Sequence, residues 1–83
     1  MKIEIKNGNQ KPISIKPLLE YLESINPISI WQHKGMTVEI DPTLDFKGND
    51  ALIRWTDINE GFVDKIIVNS LNEFKTNFKL INA

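Results

Sequence analysis

Apolar and polar residues alternate with a period of two along several short stretches of the chain, which is typical of strands that bury one face. The first stretch covers residues 2–6, and Asn7-Gly8 directly after it supplies the residues of a tight turn. The alternation returns over residues 11–16, where Pro12 favours an edge strand. We therefore predict an N-terminal strand, with a second hairpin arm after it.

Four later stretches predict two further hairpins. Residues 28–33 and 36–41 alternate on either side of a Lys34-Gly35 turn, and residues 51–57 and 62–68 flank a Gly-containing turn. The segment 42–50 between the hairpins combines Pro, Gly, Asn and Asp with two apolar residues, so we predict an ordered loop there.

Two segments carry helical periodicity instead. Pro17 suits the first turn of a helix over residues 17–25, whose apolar residues are Leu18, Tyr21, Leu22 and Ile25. The sequence Ser70-x-x-Glu73 is a capping box that begins a second helix over residues 71–80, with the apolar stripe Leu71, Phe74, Phe78 and Ile81.

A single helix over residues 62–80 is the alternative for the C-terminal part. The β-branched run Ile66-Ile67-Val68 favours a strand before the capping box instead. The predicted fold is therefore α+β: one small domain over residues 1–83, with an antiparallel sheet of four to six strands and two short helices, at about 17–25 and 71–80.

Composition limits the function classes. The chain has 83 residues, 41% of them hydrophobic and 25% charged, which is ordinary for one folded domain. A net charge of −1 gives no general attraction to nucleic acid or to an anionic membrane, so neither is expected as a partner. With no cysteine and no long apolar run, we expect a cytoplasmic protein, and the Lys-, Ile- and Asn-rich usage favours an AT-rich bacterial or mobile genome.

Residues for catalysis are sparse. His33 is the only histidine, and neither Ser24 nor Ser29 has the context of a catalytic nucleophile beside it. The carboxylates Asp41, Asp45 and Asp50 surround Gly48 but do not follow the order of a calcium loop. We expect no enzyme activity, no metal and no cofactor; the alternative is a metal hydrolase that uses these three carboxylates.

The acidic residues are unevenly placed. Residues 39–60 contain only two basic residues, Lys47 and Arg54, but six acidic ones: Glu39, Asp41, Asp45, Asp50, Asp57 and Glu60. Such a region can steer a basic partner to its binding site, although a solvated face that keeps the domain soluble has the same composition.

Two aromatic residues extend this predicted surface. If Ile28 and Ile30 face the core, alternation turns Trp31 and His33 to the opposite face, together with Thr37, Glu39 and Asp41. An exposed Trp is a frequent interface anchor. The alternative is that a helix covers this face and that Trp31 belongs to the core. Trp55, which alternates with Ile53, is predicted to be core, and His33 is expected at the surface beside its turn.

These patterns favour a small intracellular inhibitor that binds another protein, of the immunity or antitoxin type, with a basic toxin domain as its partner. The expected contact residues are Trp31, His33, Glu39, Asp41, Asp45, Asp50, Asp57 and Glu60. A phage-encoded inhibitor of a host defence or of a host enzyme has the same features. An accessory subunit is a third alternative, in which an exposed sheet edge at residues 11–16 or 28–33 forms a homo-oligomer.

Overall fold

The computed structural model describes residues 4–5, 15–25 and 29–82. In chain order the elements are β1 (Glu4–Ile5), α1 (Lys16–Glu23), β2 (Ile30–His33), β3 (Met36–Ile40), β4 (Thr43–Lys47), β5 (Asp50–Asp57), β6 (Val63–Val68), α2 (Leu71–Asn77) and β7 (Lys79–Asn82). Six of these strands form an antiparallel sheet, which β1 joins in parallel beside β4. The fold is α+β, as predicted.

The longest strand, β5, organises the sheet. β6 pairs with it along one side over residues 51–56. Two strands pair with different parts of its other side: β3 pairs with residues 55–57, and β4 pairs with residues 50–52. Between β3 and β4, the backbone N–H of Asp41 donates to the carbonyl oxygen of Arg54 at 2.8 Å. This bond continues the backbone hydrogen bonding along β5 from one strand to the next. Beyond β3 the sheet continues through β2 to β7.

Both helices pack on one face of the sheet, which we call the inner face. The rings of Tyr21 in α1 and Phe74 in α2 contact the ring of Trp31 in β2, with centroids 6.3 and 5.2 Å apart. The side chains that meet there form the hydrophobic core: Ile15, Leu18, Leu19, Leu22, Ile25, Trp31, Val38, Ile40, Leu44, Ala51, Ile53, Trp55, Val68, Phe74 and Phe78.

The opposite face of the sheet lies away from both helices, and we call it the open face. Strand alternation and the cross-strand register assign its side chains. They are Glu39, Asp41, Thr43, Asp45, Lys47, Asp50, Leu52, Arg54, Thr56, Val63, Lys65 and Ile67.

Local chemistry accounts for the two helices. Pro17 lies in the first turn of α1, where its missing N–H breaks no helical hydrogen bond. Ser70 is the N-cap of α2: its hydroxyl accepts from the N–H of Glu73 at 3.2 Å, and the Glu73 carboxylate accepts from the N–H of Asn69 at 3.4 Å. The strand over residues 63–68 and the separate helix after it are both confirmed.

Three local predictions are wrong. The predicted loop 42–50 contains β4, which turns through Gly48 into β5. The helix predicted to run to residue 80 ends at Asn77, because the backbone of Phe78 is extended and β7 pairs with β2. That same pairing places β2 between β3 and β7, so residues 30–33 are not an exposed edge. The predicted arm over residues 11–16 falls mostly outside the described residues.

Candidate partner-binding surface

Trp31 and His33 belong to the core, which corrects their assignment to an exposed surface. Trp31 has no exposed area and His33 is 2% exposed. In the β2 and β3 hairpin Trp31 lies opposite Val38, and His33 lies opposite Met36. Directly opposed residues share a face of a sheet, so both rings point to the inner face with Val38, and Glu39 points to the open face. The alternative that Trp31 is a core residue is confirmed, and Trp55 is core as predicted, at 2% exposure.

His33 holds α2 to the sheet. Its Nδ1 lies 2.7 Å from the carbonyl oxygen of Asn77, the last residue of α2, so Nδ1 carries the proton and donates. Its ring stacks on Phe78, with centroids 4.4 Å apart, and meets the edge of Trp55 at 5.0 Å. The Nε2 atom is buried without a hydrogen-bond partner. With its ring packed between two aromatic neighbours in the core and Nδ1 bound, His33 is not accessible to a partner.

Asp57 also has a local structural role. Its side chain is 5% exposed, and its Oδ1 accepts from the N–H groups of Asn59 at 2.8 Å and Glu60 at 3.2 Å. These bonds shape the turn that joins β5 to β6. Asp57 is therefore removed from the predicted contact residues, whereas Glu60 in the same turn is exposed.

The structure brings together four of the predicted residues on the open face. We call Glu39, Asp41, Asp45 and Asp50 the acidic row. Glu39 is exposed, and the other three are partly buried. Asp41 and Asp45 line a shallow recess of about 180 Å³ together with Thr43, Leu52 and Arg54. The acidic row, this recess and the exposed Glu60 are the parts of the predicted surface that are accessible to a partner.

The backbone holds two carboxylates of the acidic row in place. Asp41 Oδ1 accepts from the N–H of Thr43 at 2.8 Å, and Asp45 Oδ1 accepts from the N–H of Phe46 at the same distance. A carboxylate offers more than one acceptor site, so Asp41 can accept from an external donor as well as from Thr43. Because these hydrogen bonds restrain the two side chains before binding, little conformational entropy is lost when a partner binds them.

The open face also carries cations that sequence reasoning did not place there. Arg54 lies in the recess between the carboxylates, and Lys65 on β6 is directly opposite it. Lys47 is opposite Asp50 at the turn into β5. The surface is therefore an acidic row bordered by basic residues. The sequence predicts the hairpin of β5 and β6 but not its register, and the register is what sets Lys65 opposite Arg54.

Among the described residues, no group of three or more His, Cys, Asp or Glu side chains is arranged to hold a metal ion. No helix in that part of the chain has the length and apolar character needed to cross a membrane. Comparison with family models, with curated proteins and with solved structures gives no significant match.

Proposed function

We propose that this protein is a small inhibitor that acts by binding another protein through its open face, in the manner of an immunity or antitoxin protein that covers a basic surface of a toxin. The observation that carries the proposal is the acidic row. Four carboxylates lie on the one sheet face that neither helix covers, and the backbone orients two of them.

The difference in composition between the two faces of the sheet supports this proposal. The inner face is covered by the core, in which both Trp residues and the single His are buried. A protein partner would therefore be bound by the open face. A shallow surface of fixed carboxylates suits a basic protein partner, because complementary charge speeds association and sets the register of docking. The nearby Arg54 and Lys65 would select against a partner that is uniformly basic.

The proposal is tested with isosteric charge removal. The triple variant E39Q/D41N/D45N removes three negative charges and keeps every side-chain oxygen that accepts a backbone N–H. The matched control E20Q/E23Q/D64N removes three charges from exposed positions outside the acidic row. Each protein is immobilised and used to capture partners from the native host, and the captured proteins are quantified at low and at high salt.

We expect the wild type and the control to retain the same protein, and the acidic-row variant to lose most of it at low salt. Equal retention by all three proteins would show that the acidic row does not bind the partner. A phage-encoded inhibitor would use the same surface, and the identity of the captured protein, a toxin or a host enzyme, distinguishes the two.

A further inference from the structure

β6 borders the sheet. β5 pairs with one side of it, and no strand among the described residues pairs with the other. The N–H of Asp57 donates to the carbonyl oxygen of Phe62 at 2.7 Å, which fixes the hydrogen-bonding phase of the strand. Because bonded and non-bonded pairs alternate in an antiparallel ladder, Val63, Lys65 and Ile67 direct their backbone N–H and C=O groups away from β5.

The side chains of the same three residues lie on the open face. Val63 is 53% exposed and Ile67 is 38% exposed, and Lys65 stands between them. Lys65 is also directly opposite Arg54, so two exposed cations are neighbours on this face. Like charges opposite each other in a sheet are destabilising, and a carboxylate on the next strand would relieve that repulsion.

We propose that the free edge of β6 binds an extended segment of another protein, which adds to the sheet as an antiparallel strand. The segment carries a carboxylate opposite Lys65. It carries apolar side chains two positions before and two positions after the carboxylate, opposite Ile67 and Val63. Backbone hydrogen bonds provide the affinity in this mode of recognition, and the alternate side chains provide the specificity.

Charge argues for a different chain as the occupant rather than a second copy. In a two-fold antiparallel pair of β6 strands with its axis at residue 64, 65 or 66, Lys65 would lie opposite Val63, Lys65 or Ile67 of the copy, and none of these residues provides a carboxylate. The inference goes beyond the proposed function and does not depend on it, because the β6 edge would receive a strand whether or not the acidic row binds a protein.

The test uses the full chain and the synthetic peptide acetyl-Thr-Val-Thr-Glu-Thr-Val-Thr-amide, titrated to millimolar concentration and followed by NMR. We expect the largest amide shifts at Val63, Lys65 and Ile67. N-methylation of the peptide at its Val and Glu positions should abolish binding, because those N–H groups face β6. N-methylation at the central Thr positions should leave binding intact, because those groups face solvent.

Charge exchange tests the predicted carboxylate. The wild type should prefer the Glu peptide over the same peptide with Lys at its centre by about threefold, and Lys65→Glu should reverse that preference. The control Lys79→Glu, an exposed position on β7, should leave it unchanged. Absence of shifts on β6, equal effects of the two N-methylation patterns, or no reversal in Lys65→Glu would each overturn the proposal.

Hydrogen exchange of the free protein separates the remaining occupants. We expect the amides of Val63, Lys65 and Ile67 to exchange rapidly at every protein concentration. Slow exchange that is independent of concentration would mean that another part of this chain covers the edge. Protection that increases with concentration would mean that a second copy does. Either result contradicts the proposal.

Discussion

Trp31 lies directly opposite Val38 in the β2 and β3 hairpin, and both side chains are completely buried. This pairing determines the phase of the two strands. It places Trp31 between the two helices, where the rings of Tyr21 and Phe74 contact it edge-on. The carboxylate of Glu39, one residue beyond Val38, consequently faces the other side of the sheet.

Trp31 is therefore a stability residue. We expect Trp31→Ala to lower the free energy of unfolding by about 3–5 kcal/mol, since it leaves a large cavity under both helices. Trp31→Phe keeps an aromatic ring and should cost much less. Urea unfolding measures both. A Trp31→Ala protein as stable as the wild type would contradict the burial of this side chain.

His33 is expected to stabilise the fold through one hydrogen bond. His33→Phe keeps an aromatic ring between Phe78 and Trp55 but leaves the carbonyl oxygen of Asn77 without its donor, which should cost about 1–3 kcal/mol. The loss should concentrate at the junction of α2 and β7. Chemical denaturation gives the magnitude, and faster amide exchange at residues 77–80 locates the effect. Unchanged stability would contradict a net stabilising role of His33, because removal of the unpartnered Nε2 would then offset the whole loss of the Nδ1 bond.

Lys34 adopts an unfavourable backbone conformation. Its φ is +50° and that of Gly35 is +78°, the signature of a two-residue turn in which both central residues have positive φ. Asn tolerates this region better than Lys, so Lys34→Asn should stabilise the protein by about 0.5–1 kcal/mol. The midpoint of urea unfolding is the readout, and a decrease in that midpoint would contradict this account of the turn.

Asp57 is expected to act through its carboxylate oxygen rather than through its charge. Asp57→Ala removes the acceptor of two backbone N–H groups and should cost about 1–2 kcal/mol, in the range measured for capping residues. Asp57→Asn keeps an acceptor and should cost clearly less. The two variants are compared by thermal unfolding at one pH. Equal losses would mean that charge, and not the hydrogen bonds to Asn59 and Glu60, provides the stabilisation.

Much of the fold follows from local sequence signals. Apolar spacing and the Ser70 capping box predict both helices, and the β-branched run predicts β6. The sequence does not predict β4 because only five residues lie between Pro42 and Gly48. The alternation of apolar and polar residues is too short there to override the turn-forming residues on either side. β7 was missed because its apolar residues continue the helical spacing of Phe74 and Phe78, and only its pairing with β2 makes it a strand.

The candidate surface was predicted in part. The alternation over residues 28–33 predicts an exposed Trp31 only if Ile28 and Ile30 face the core, and Trp31 is buried instead. The two-residue turn at Lys34-Gly35 sets Trp31 against Val38, so the two strands of this hairpin have to be phased together. Asp57 is buried because alternation along β5 puts it on the inner face with Ile53 and Trp55, so the predicted burial of Trp55 already indicates that of Asp57. The remaining carboxylates of the acidic row were correctly grouped by sequence proximity, because β3 and β4 follow each other along the same side of β5.

The most direct measurement of the central claim is carboxyl footprinting of the captured complex. Exposed carboxylates are converted to amides with a carbodiimide and glycine ethyl ester, with and without the partner, and the modification of each residue is quantified by mass spectrometry. The account predicts that Glu39, Asp41 and Asp45 are protected in the complex, while Glu20 and Glu23 on α1 are modified as before. Protection of Glu20 and Glu23 with unchanged modification of the acidic row would contradict it.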